Sequence, residues 1–119
     1  MMRLIPLLML ALLTAVPPAL AHAFLERALP PVGSTVDGPP KQIVLTFSEG
    51  VEPLFSTIEL HDARGSSVAA GKPRTPSNND RQLVVDLPAL SSGSYTVIWH
   101  ATSVDTHKTE GSYKFTVAR

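Results

Sequence analysis

The sequence predicts an all-β, single-domain antiparallel Greek-key β-sandwich of about seven short strands. Three observations carry this. Apolar and polar residues alternate over short runs, as in Ile43, Leu45 and Phe47 or Tyr95, Val97 and Trp99. Clusters of turn formers separate these runs, among them Asp62-Ala63-Arg64-Gly65 and the segment from Pro88 to Gly93. Past the first 21 residues no long stretch shows a helical period.

The elements follow in order. His22 to Leu29 reads as a first strand that stops at Pro30-Pro31, and residues 32–40 are rich in turn formers. Lys41 to Phe47 is the clearest strand, with Ile43, Leu45 and Phe47 on the inner face. Phe55 to His61 follows, with Ile58 and Leu60 inward. The turn at Asp62–Gly65 leads to a short strand near Ser67 to Ala70. Gly71 to Asp80 holds prolines and asparagines and is expected to be a loop. Arg81 to Leu87 alternates again, with Leu83, Val85 and Leu87 inward. Tyr95, Val97 and Trp99 mark the next strand, and Tyr113, Phe115 and Val117 the last.

The first 21 residues read as an export signal. Met1-Met2-Arg3 is a short positive start, Leu4 to Leu13 is almost entirely apolar, and Ala19-Leu20-Ala21 is a small-x-small cleavage signature. Pro17 and Pro18 break a helix just before the cut, and the apolar run is short for a membrane span. Ala21-His22-Ala23 offers a competing cut after Ala23. The preferred division is therefore a signal peptide at 1–21 and a domain at 22–119 that works outside the cytoplasm. Under about 100 residues can bury one modest core. The chain has no cysteine, so no disulfide supplements that core. Its formal net charge is zero and it has no basic run, which excludes nucleic acid as an expected partner.

Cleavage after Ala21 makes His22 the first residue, with a free amine and a ring able to chelate one ion. Both groups shed a proton near neutral pH. Asp105 and His107 add an oxygen and a nitrogen. Spaced two apart, they share one side of an extended segment. Nitrogen and oxygen donors in this combination suit Cu(II), with zinc as the other ion that accepts them. All three methionines, Met1, Met2 and Met9, fall in the signal, so the mature chain lacks the soft ligands of a Cu(I) site. Glu49 continues the inward phase of Ile43, Leu45 and Phe47. It is a weak ligand, a partner for a ligand's N–H, or a residue turned to water where the strand frays. His61 is expected to face solvent. His100 points away from the core, as a surface residue or as a partner near a site.

These residues resemble the CopC family of periplasmic copper-resistance proteins. The resemblance rests on His22-Ala-Phe-Leu-Glu-Arg-Ala-Leu-Pro-Pro-Val-Gly-Ser, Leu45-Thr-Phe-Ser-Glu-Gly, the run from Gly93 to His107 that ends Ser-Val-Asp-Thr-His, and Glu110-Gly-Ser-Tyr-Lys-Phe-Thr-Val. It covers essentially the whole mature chain. It implies an immunoglobulin- or cupredoxin-like sandwich that holds one Cu(II) per chain through the amine and ring of His22, through His107 and through Asp105, with Glu49 beside them. Some members carry a methionine-rich Cu(I) site in mid-chain. Residues 66–80 contain no methionine, so this chain resembles the members with a Cu(II) site only. Some relatives are fused to a membrane copper-transport domain. The partner implied here is a separate inner-membrane transporter of the CopD type, serving a monomer without catalysis. Two other classes compete: a copper monooxygenase built on a histidine brace, and a structural β-sandwich module in which the histidines are incidental.

Overall fold

A computed structural model describes residues 23–119, and the expected signal segment 1–21 and His22 lie outside the described residues. Eight strands follow in order: β1 Leu25–Leu29, β2 Thr35–Val36, β3 Gln42–Phe47, β4 Thr57–His61, β5 Ser67–Val68, β6 Gln82–Asp86, β7 Gly93–Thr102 and β8 Lys108–Val117. One sheet has the order β1-β3-β6 and the other β2-β8-β7-β4-β5. The chain passes between sheets after β1, β2, β3, β5 and β6, which ties the two layers into one sandwich.

Period-two patterning puts the core where the sequence predicts it. Ile43, Leu45 and Phe47 from β3 are fully buried, as are Leu83 and Val85 from β6. They face Leu60, Val97, Trp99, Phe115 and Val117 from the other sheet. Phe47 and Trp99 meet edge to face across the sandwich, with ring centroids 5.2 Å apart. That arrangement sets the positive ring edge against the negative face.

Four local features depart from simple alternation. First, Thr35–Val36 leaves the turn-rich segment to pair with β8, and this pairing is parallel while the other strand pairs are antiparallel. This strand is the addition to the expected seven. Second, Phe55 is not part of β4. Pro53 opens a 3-10 turn over Pro53–Phe55, and the Phe55 side chain is 70% exposed. Proline's fixed φ suits the first position of such a turn. Third, the β1–β3 register slips between Leu25 and Arg27, a bulge at Glu26 that leaves Ala28 as the buried residue of β1. Fourth, the 71–80 loop sends Arg74 back to pair with Val84. That pairing covers the outer edge of β6, an edge otherwise open to another chain.

Candidate metal centre

The loop between β7 and β8, residues 103–107, is a tight turn organised by Ser103, which has no exposed surface. The Ser103 amide donates to the carbonyl of His107 at 2.8 Å, and the Thr106 amide donates to the carbonyl of Ser103 at 2.9 Å. Thr106 takes a φ of 74° to complete the turn. The Ser103 hydroxyl donates to Asp105 Oδ1 in a very short hydrogen bond and accepts from the His107 amide at 3.2 Å. Asp105 and His107 are thereby brought together, with His107 Nδ1 3.4 Å from Asp105 Oδ1. Extended geometry is not the cause of their convergence: the chain turns here, and the turn aims both groups.

Both side chains stay about two-fifths exposed, open to an ion from solvent. The hydrogen bond from Ser103, aided by the neighbouring His107, holds the Asp105 carboxyl below the ordinary carboxylate range. Asp105 is therefore an anionic oxygen donor through the neutral range. The atoms that approach each other are the buried His107 Nδ1 and the Oδ1 already bonded to Ser103, so what the turn offers an ion is two ligand-type side chains side by side, each with exposed surface. Among the described residues no group of three or more His, Cys, Asp or Glu is arranged to hold a metal. A complete site needs a further donor.

The start of the described chain lies against this loop. Thr109, two residues past His107, donates its hydroxyl to the carbonyl of buried Ala23 at 2.8 Å. The Phe24 amide donates to Ser48 Oγ, and the Ser48 amide returns a bond to the Phe24 carbonyl, both at 2.8 Å. On the other side of Glu49, the carbonyl of Gly50 accepts from the Val104 amide at 3.0 Å. A methyl on Gly50 would sit 2.8 Å from Oδ2 of the exposed Asp80 side chain and 3.1 Å from Val104 Cγ1, so glycine eases the close approach of the two loops. Half-buried Glu49 thus lies between a residue tied to the chain start and a residue tied to the 103–107 loop. His22, the remaining expected ligand, precedes Ala23 and lies outside the described residues.

The other two histidines stand apart, on the outer face of the larger sheet. His61 Nδ1 pairs with the carbonyl of Gly65 at 3.1 Å, and Nε2 is 3.5 Å from Glu59. His100 Nε2 is 2.9 Å from Glu110 and its Nδ1 is 3.4 Å from Thr57 Oγ1. His100 and Glu110 border a groove of about 600 Å³ with Phe55 and Glu59, and neither Asp105 nor His107 lines it. Ser103, Ser48 and Thr109 are the organising residues that alternation does not reveal. Ser103, within Ser-Val-Asp-Thr-His, and Ser48, within Leu-Thr-Phe-Ser-Glu-Gly, sit in motifs that point to them, and Thr109 does not.

The family model described as "CopC domain" matches residues 25–118. The chain is 38% identical over 112 residues to Protein YobA of Escherichia coli (strain K12), covering 91% of this chain and 90% of that one. It is 34% identical over 106 residues to the Copper resistance protein C of Escherichia coli, covering 83% of each. Among solved structures, that of CopC from Methylosinus trichosporium OB3b superimposes with a TM-score of 0.78 at 38% identity. The match covers 82% of this chain and 94% of that one.

Proposed function

The chain belongs to the CopC family, and from that premise we propose that it is an exported copper(II)-binding protein of the periplasm. It acts as a carrier or buffer in copper resistance or homeostasis, without catalysis. One Cu(II) is held by the amine and ring of His22, by Asp105 and by His107, with Glu49 alongside. The ion is cargo, passed to a separate partner such as an inner-membrane copper transporter of the CopD type.

The single observation that carries this reading is the bond from Thr109 to the carbonyl of Ala23. It ties the residue after His22 to the strand that begins after His107. An amine and a ring at position 22 then need little further ordering to join the Asp105–His107 pair. A chelate formed by one terminal residue loses less entropy than two separate ligands would. The donor set is two types of nitrogen and one carboxylate oxygen, which Cu(II) accepts with the highest affinity of the divalent series. Binding weakens as pH falls, because protons compete for both kinds of nitrogen.

The test has two parts. Intact-mass measurement on the exported protein establishes whether the mature chain starts at His22. Cu(II) titration then compares that chain with one carrying a single extra residue before His22, and with His107→Ala. Sharp weakening in both variants is the expected result. A mature chain starting at Phe24, or equal affinity with and without the extra residue, removes His22 from the site.

A further inference from the structure

We infer that Ser103 is a positioning residue of the copper site, fixing Asp105 as a ligand through one oxygen and tying that carboxylate to the backbone of His107. The inference rests on the copper(II) reading above and adds a residue that touches no metal.

Ser103 is fully buried, so its hydroxyl must be satisfied inside the protein. The hydroxyl has one proton. An ordinary carboxylate at neutral pH can only accept, so that proton goes to Asp105 Oδ1 in preference to the His107 carbonyl, 3.3 Å from the hydroxyl oxygen. The hydroxyl oxygen then accepts from the His107 amide. The result is a directed chain from the His107 N–H through the Ser103 O–H to the Asp105 carboxylate. The Asp105 carboxylate and the His107 backbone are thereby held to one atom.

A carboxylate that chelates an ion must turn both oxygens to it equally. With Oδ1 accepting from Ser103, turning both oxygens to an ion competes with that bond, and Oδ2 is the freer donor. Cu(II) in a tetragonal nitrogen and oxygen site takes one donor atom per corner. Ca(II) takes six to eight oxygens, often from two-oxygen carboxylates. Ser103 therefore favours Cu(II) over hard ions as well as organising the loop.

The experiment is a double-mutant cycle in the mature chain, with Ser103→Ala, Asp105→Ala and both together. Cu(II) affinity is read by chelator competition and geometry by electron paramagnetic resonance. Ser103→Ala should weaken Cu(II) binding about 10- to 100-fold and shift the copper hyperfine pattern. It should add nothing once Asp105 is gone, since its effect runs through that carboxylate. Unchanged affinity and spectrum in Ser103→Ala, or losses that simply add, would overturn the inference while the copper site stands. If Asp105→Ala alone is silent, the ligand role of Asp105 fails and the inference falls with it. Infrared spectra of the copper-loaded wild-type chain with ¹³C-labelled aspartate give a reading that does not need the variant to fold. A wide separation of the carboxylate stretches supports one-oxygen ligation, and a narrow one overturns it.

Discussion

Thr109 and Ala23 are 86 positions apart in the chain and are joined by one hydrogen bond of 2.8 Å, from the threonine hydroxyl to the alanine carbonyl. The bond links the chain start, leading into the smaller sheet, to β8 of the larger sheet. Thr109→Val keeps the shape and removes the donor, leaving the carbonyl of a buried residue without it. The expected loss is about 1–3 kcal/mol of unfolding free energy, the usual cost of an unmade buried bond. Urea unfolding of the metal-free chain measures it. Thr109→Ser should recover most of the loss, and under the proposed function Thr109→Val also weakens Cu(II) binding.

Gly111 faces Trp99 across the β7–β8 pair. A methyl on Gly111 would lie 2.6 Å from Trp99 Cζ2 and 2.9 Å from Cε2, closer than carbon atoms pack. The indole cannot yield easily, because it is buried and set edge to face against Phe47. Gly111→Ala should therefore destabilise the fold by about 1–3 kcal/mol, the range for an overpacked core. Thermal unfolding with Trp99 fluorescence as the probe reports both the loss of stability and the displaced ring.

The core was legible because strand side chains alternate strictly. Once Ile43, Leu45 and Phe47 were set on one face, the matching triplets Tyr95-Val97-Trp99 and Tyr113-Phe115-Val117 followed, and all of them are buried. What alternation could not show was pairing that depends on distant backbone. Thr35–Val36 looks like turn, and only β8 makes it a strand. Phe55 looks like the first residue of β4 until Pro53 takes the chain into a 3-10 turn. The site was legible by residue type and not by mechanism. Asp105 and His107 stand out as ligand types, but their convergence comes from a turn closed by Ser103, and although Ser103 belongs to Ser-Val-Asp-Thr-His, nothing in that motif tells which bonds its hydroxyl makes.

Two exposed pairs give stability windows of opposite sign. Asp86 accepts from Arg74 at 3.0 and 3.2 Å and from Gln42 at 3.1 Å, and these bonds, Arg74 first, lower its pKa. A lowered folded value means the contribution is whole above the unfolded carboxylate value of about 3.9 and disappears as pH falls through the folded value. His61 is raised, chiefly by the Gly65 carbonyl and then by Glu59. Its contribution is whole below about 6.5 and is lost as pH rises through the folded value. Urea midpoints across the pH range should show Asp86→Asn converging on wild type only in acid. His61→Asn should converge only in alkali. A constant offset for either variant would mean its effect is not electrostatic.

Thr106 closes the 103–107 turn with a φ of 74°, a region that β-branched side chains rarely enter. The conformation is imposed by its surroundings. The Thr106 amide is bound to the Ser103 carbonyl, and the flanking Asp105 and His107 are both held to Ser103. Asparagine tolerates this backbone far better, since its short polar side chain bonds locally. Thr106→Asn should therefore raise the unfolding free energy of the metal-free chain by about 0.5–1 kcal/mol, less than the full cost of a left-handed residue. Because the side chain at 106 takes no part in the proposed site, Cu(II) affinity and the resonance spectrum should stay unchanged. Glycine separates the causes, since it relieves the same strain but loses more backbone entropy on folding, and Thr106→Gly should fall short of the asparagine variant. A loss of copper affinity in Thr106→Asn at unchanged or raised stability would show instead that the strained threonine helps hold Asp105 and His107 in place.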